Sequence, residues 1–242
     1  MPKLLDFKGV RAGSPLKIFN KSETEAEIVI YAGIGQGGFW DSADSMVSAK
    51  NFSDQLKQLP DTIKTLNVRI NSPGGDVFDG IAIYNRLKQH KAKKVVYIDG
   101  LAASIASVIA LAGDEVIMGE GALFMVHLPW TFAVGNRNDL DNVVNRLSDV
   151  EEQMLSIYTK KTKMSRTEVR ALLEAETWMD SSTAIDKGFA DKTSEETFAI
   201  AASVKKAPWI NKMPEKFTSQ TDVVQEKINA LKKNLNARLA RK

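Results

Sequence analysis

Apolar residues recur along this chain in two rhythms, short continuous runs and longer stretches at helical spacing, and the two alternate. The runs at 27–34, 66–70, 95–99, 115–117 and 123–127 predict strands. Helical spacing at 43–59, 77–90 and 104–111 fills the gaps between them. Such alternation predicts parallel βαβ crossovers in an α/β fold, with a functional site at the carboxyl ends of the strands. Further on, Leu140, Val143, Val144, Leu147, Val150, Met154 and Ile157 share one face of a long amphipathic helix over 138–162. Ser165-Arg-Thr-Glu168 is a capping box that opens the next helix. After Pro208 and Pro214, Val224, Ile228, Leu231, Leu235 and Leu239 return to helical spacing among lysines and arginines. That last helix reads either as packed on its own domain or as an arm for a partner.

Charge sharpens the division near residue 200. The chain of 242 residues carries +3 overall, but 201–242 holds ten basic against three acidic residues, a net of +7. The first 200 residues hold 23 basic and 27 acidic, a net of −4. A basic tail suits acidic surfaces or nucleic acid, yet no aromatic interleaving or nucleic-acid motif supports sequence-specific recognition. Cysteine is absent, which removes disulfides and thiolate metal sites and fits a reducing compartment. The two histidines, His90 and His127, stand far apart in sequence, so neither a metal site nor another cofactor is expected. No apolar run reaches the ~18 residues of a membrane span, and Met1–Lys8 lacks the pattern of a signal peptide.

Three segments carry candidate chemistry. In Gly100-Leu-Ala-Ala-Ser104-Ile-Ala-Ser107 a serine stands where a strand turns into a helix, beside free N–H groups and the positive helix end. A serine there also reads as a plain N-cap. Asn71-Ser-Pro-Gly-Gly75 follows a strand, and its paired glycines permit close backbone approach to a ligand or simply make a turn. In Leu123-Phe-Met-Val-His127-Leu-Pro-Trp130 a strand delivers a histidine at its end, either a ligand-facing base or a core histidine. Together the three fit an acyl-transfer site. His90, within Lys88-Gln-His-Lys91, reads as a polar helix end, and Ser107 as packing or helix surface.

These segments carry a resemblance. Asn71–Gly75, Gly100–Ser104 and Met125-Val-His127-Leu-Pro129 resemble the three active-site blocks of the ClpP peptidase family, with 75–104 aligning without a gap. Asp76-Val-Phe-Asp-Gly-Ile-Ala-Ile-Tyr84, Ala112-Gly-Asp-Glu-Val-Ile-Met118, Glu176-Thr-Trp-Met179 and Ala184-Ile-Asp-Lys-Gly-Phe-Ala-Asp191 are most similar to its phage branch, the head maturation (prohead) proteases. The resemblance implies a ClpP/crotonase-like βαβ superhelix with 138–162 projecting as a handle helix. It divides the chain into an N-terminal segment (1–26), a peptidase domain (27–200) and a basic linker with an amphipathic helix (201–242). It implies homo-oligomeric rings, heptameric or doubled. The substrates would be scaffold and capsid proteins, in the host cytoplasm inside an assembling procapsid, with no membrane partner.

The roles it implies are a nucleophile at Ser104, a general base at His127, and an oxyanion hole from the backbone N–H groups of Gly75 and Ile105. Aligning Gly188-Phe-Ala-Asp191 sets Glu176 where cellular ClpP carries its triad aspartate, a departure from that pattern. Asp180 is the competing acid, also readable as a helix N-cap. Asp76 and Asp99 read as turn residues. Two other classes remain open: a crotonase-type acyl-CoA enzyme, which needs no Ser–His pair, and a non-catalytic ring-forming assembly protein.

Overall fold

Alternating burial sorts the first strands into a packed and a half-covered face. β1 (Leu16–Asn20) and β2 (Glu25–Ile30) pair antiparallel, with Ala26, Ile28 and Ile30 buried and Glu25, Glu27 and Val29 partly exposed. The computed structural model describes residues 15–37 and 46–194. A short parallel pair, β3 (Gly33–Ile34) and β4 (Met46–Val47), precedes α1 (Ala49–Leu56), which turns Phe52 and Leu56 into the core.

The centre of the fold is β5 (Thr65–Ser72), α2 (Val77–Gln89), β6 (Lys93–Ala103) and α3 (Ile105–Ala110). β7 (Glu115–Met118) and β8 (Leu123–Val126) follow, and both pair with β6. The parallel run β2–β5–β6–β7 is buried on the Ile28, Val68 and Val96 face, as crossover helices require. α4 (Arg137–Thr162) and α5 (Arg166–Glu174) lead into β9 (Thr177–Met179), which lies antiparallel to β8. α6 (Ser181–Asp186) and β10 (Lys192–Thr193), parallel to β7, close the described chain.

β6 holds the fold's decisive irregularity. Val95–Ile98 pairs with β7, whereas Leu101–Ala103 pairs with β8. On its other side the register with β5 jumps from Ile70↔Ile98 to Ser72↔Ala102. Two extra residues of β6 are absorbed at the bend, and the strand is redirected toward β8. The aspartate at that bend, Asp99, accepts from Arg69 Nε at 2.9 Å and Nη2 at 2.5 Å, and from Tyr31 Oη at 2.5 Å. It therefore ties β5 and the end of β2 to β6 instead of serving a turn.

The strand expected at 27–34 is two elements, β2 and β3, because the chain bends at Ala32 and Gly33–Ile34 leaves the main sheet to pair with β4. The apolar pattern does not predict β1, and α1 is shorter than 43–59. The long helix matches its prediction and projects: its buried residues are Met154, Leu155 and Tyr158, all in its second half. Both caps of the Ser165–Glu168 box form, with Ser165 Oγ accepting from Glu168 N–H at 3.2 Å. The basic tail and the helix expected in it lie outside the described residues.

Candidate active site

Ser104 joins β6 to α3 with φ 55° and ψ −129°, a conformation that favours glycine. Its N–H donates to Met125 O at 3.0 Å, continuing the β6–β8 ladder to the last residue before the helix. The side chain makes no capping bond, so the N-cap reading does not hold for Oγ. Oγ instead lies 2.7 Å from His127 Nε2. The histidine follows β8 directly, and the ladder of β8 with β6 is what carries it to the serine.

Both side chains are buried, and burial pushes the His127 imidazole below the ordinary histidine value of 6.5. The Glu176 charge opposes that shift, so the acid acts on the ring electrostatically. Strand register explains why. β8 and β9 pair as Phe124↔Met179, Met125↔Trp178 and Val126↔Thr177. One step further sets His127 opposite Glu176. Glu176 has φ 48°, in the left-handed region, and its N–H donates to Leu173 O at 3.1 Å. Trp178 Nε1 donates to Glu176 Oε1 at 3.5 Å.

Asp180 stands at the other end of β9. The same register sets it opposite Leu123, ~13 Å along the strand from His127. Its carboxylate accepts from Thr183 N–H at 2.9 Å and caps α6. The structure brings together Ser104, His127 and Glu176 and leaves Asp180 apart from them.

The glycine pair lies against the serine. A Cβ on Gly74 would stand 2.6 Å from Ala103 O and 2.7 Å from Ser104 Cβ. Gly75 has φ 146°, and a Cβ there would overlap Ile34 O. Ile34 N–H donates to Gly74 O, and Asp76 N–H to Ile34 O, both at 2.8 Å. Those bonds flank Gly75, and its own N–H takes no part in them. Ile105 N–H, in the first turn of α3, lacks an intrahelical acceptor for the usual helix-end reason. Asp76 caps α2 through Asp79 N–H at 2.8 Å, as a turn residue should. His90 caps the far end of α2, and its Nδ1 accepts from Ala92 N–H at 3.2 Å.

Sequence reasoning missed the surroundings of Ser107. It is fully buried, and its Oγ contacts both Ser104 O, at 2.5 Å, and Tyr158 Oη, at 2.7 Å. A serine in an otherwise apolar helix, three residues after Ser104, was the available signal.

Comparison with protein families matches residues 39–197 to the Clp protease family. Among curated proteins, the ATP-dependent Clp protease proteolytic subunit 1 of Chlamydia pneumoniae is 28% identical over 154 residues, 60% of this chain and 81% of that protein. Its counterpart in Protochlamydia amoebophila is 27% identical over 139 residues, 56% of this chain and 68% of that one. Among solved structures, a ClpP1 variant from Listeria monocytogenes matches with a TM-score of 0.60 at 21% identity, covering 70% of this chain and 91% of its own. That last likeness is one of fold.

Proposed function

The chain belongs to the Clp protease family of serine peptidases, and from that premise we propose an endopeptidase that works through an acyl-enzyme on Ser104. Ser104 Oγ attacks a peptide carbonyl while His127 Nε2 takes its proton, then returns it to the leaving amine. Glu176 orients the imidazole and stabilises its charged form. The N–H groups of Gly75 and Ile105 receive the oxyanion, and water then releases the acyl group by the same steps in reverse order. The observation that carries this reading is the 2.7 Å contact between Nε2 and a serine Oγ that caps nothing. A crotonase-type enzyme has no use for that pair, and neither has a scaffold.

Ser104→Ala removes one small atom and should leave folding and assembly intact while cutting turnover by on the order of 10⁴–10⁶. Proteolysis of fluorescein-labelled casein and labelling by a fluorophosphonate provide the measurements. Activity within tenfold of wild type would remove Ser104 as nucleophile.

The finer reading is a prohead protease that digests scaffold protein, a removable capsid segment or its own basic tail. Its support is the phage-like segments at 112–118 and 176–191 and the change from −4 to +7 beyond residue 200. The peptidase domain is 27–200, with 201–242 as an arm toward acidic partners. Rings, heptameric or doubled, enclose the sites. Mass measurement after co-expression with capsid and scaffold proteins checks this, with truncated products expected only when Ser104 is intact. Unchanged masses would leave a Clp-type peptidase without a role in head maturation.

A further inference from the structure

Ser104 and Ile105 share one peptide unit, and that unit is held by Ser107, whose hydroxyl is in turn held by the buried Tyr158. Ser107 N–H donates to Ser104 O at 2.9 Å, and Ser107 Oγ contacts the same carbonyl at 2.5 Å. A carbonyl only accepts, so the single Ser107 hydroxyl proton is committed to it. Tyr158 must then supply the proton in the 2.7 Å contact between Tyr158 Oη and Ser107 Oγ. The relay therefore has one direction, from Tyr158 O–H to Ser107 Oγ and from Ser107 O–H to Ser104 O. Tyr158 and Ser107 are both wholly buried. The tyrosine ring is held edge-on against Phe189, with centroids 5.9 Å apart.

A trans peptide unit is planar, and its C=O and N–H point in opposite directions. Two donors drawing Ser104 O into α3 therefore aim Ile105 N–H outward, on the side where an oxyanion forms. Together with the Ser104 N–H bond to Met125 O, they hold Ser104 at φ 55°, which an unsupported residue would leave. We propose that Ser107 and Tyr158 are positioning residues that fix the Ser104–Ile105 peptide plane and so aim an oxyanion-hole donor. This rests on the assignment of Ser104 and Ile105 given above, and it adds two residues with no counterpart among the triad or the glycine pair.

The test compares Ser107→Ala, Tyr158→Phe and the double variant in the full chain, with Ser104→Ala as reference. Casein hydrolysis gives kcat and KM, the fluorophosphonate gives an inactivation rate, and thermal unfolding gives Tm. Ser107→Ala should lower kcat and the inactivation rate about tenfold, part of the roughly 10²–10³ lost when an oxyanion donor is removed outright. KM should stay within about twofold, because a ground-state carbonyl gains little from the hole. Ser107→Ala also strands the Tyr158 hydroxyl, so its Tm should fall. In the double variant no hydroxyl is stranded, and Tm should recover while kcat stays low. Recovery of kcat together with Tm would mean that the pair only stabilises the fold and would overturn the proposal. So would an unchanged kcat in Ser107→Ala. Retained activity in Ser104→Ala would instead sink the nucleophile assignment beneath it, a separate result.

Discussion

Ser104 and Glu176 are non-glycine residues with positive φ, and both belong to the candidate site. Such backbone costs about 1–3 kcal/mol per residue and persists where surrounding contacts impose it. The imposing contacts differ. Ser104 is held by the Met125 and Ser107 bonds, Glu176 by a turn onto Leu173 and by β9. His127 supplies a pH signature. Hydrolysis requires the neutral imidazole, so the rate should rise with pH through a value below 6.5, burial having lowered it. Glu176→Gln removes the charge that pulls the other way. The acid limb of the kcat profile should then move to still lower pH while the plateau falls by up to roughly 10⁴. Asp180→Asn still caps α6 and should leave both nearly unchanged. A limb that moves upward in Glu176→Gln would deny its coupling to the ring.

Packing between elements transmits to this site through one close crossing. A Cβ on Gly80, in α2, would overlap Cγ1 of Ile105, the first residue of α3. Gly80→Ala gains about 1 kcal/mol of helix propensity, against about 1–3 kcal/mol for overpacking a full core. The balance is a net loss, to be read as a lower Tm. The fluorophosphonate rate should fall as well, because α3 carries Ile105 and abuts Ser104. A higher Tm with unchanged labelling would show that the helices separate freely. The elements with local signals were legible in sequence: α2 from its spacing, α4 from its stripe, α5 from its capping box. Ser104 and His127 were legible because each follows an apolar strand. β1 was not, because only Leu16 of its five residues is buried and the strand is defined by its antiparallel pairing with β2. Nor was the bend in β6, since Asp99-Gly100 reads as the end of a strand. The Ser107–Tyr158 contact spans 51 residues of sequence, so a serine in an apolar helix could signal a buried partner but not which residue it is.

At the scale of the molecule, α4 projects, and the first half of its apolar stripe is exposed at Leu140 and Val144 and half-buried at Val143 and Leu147. Val144 is 60% exposed, and nearby Phe132 and Val134 are each 84% exposed. Patches of this kind mark interaction surfaces. Glutamates at Val143 and Leu147 would bury unpaired charge in any interface there, at a cost of several kcal/mol. Light scattering should then find smaller species, with proteolysis lost if assembly shapes the site. An unchanged assembly would return the stripe to its own chain. The ladders around the site have a further consequence for how it opens. Ser104 follows a strand flanked by β5, β7 and β8, whereas Glu176 adjoins β9, which pairs only with β8 among the described residues and over three positions. Amide exchange with solvent should therefore be slowest along β6 and much faster along β9. On the proposed roles, the fluctuation that opens first would lift Glu176 away and leave Ser104 in place, so this enzyme would be disarmed transiently by an unsteered imidazole before its serine is disturbed.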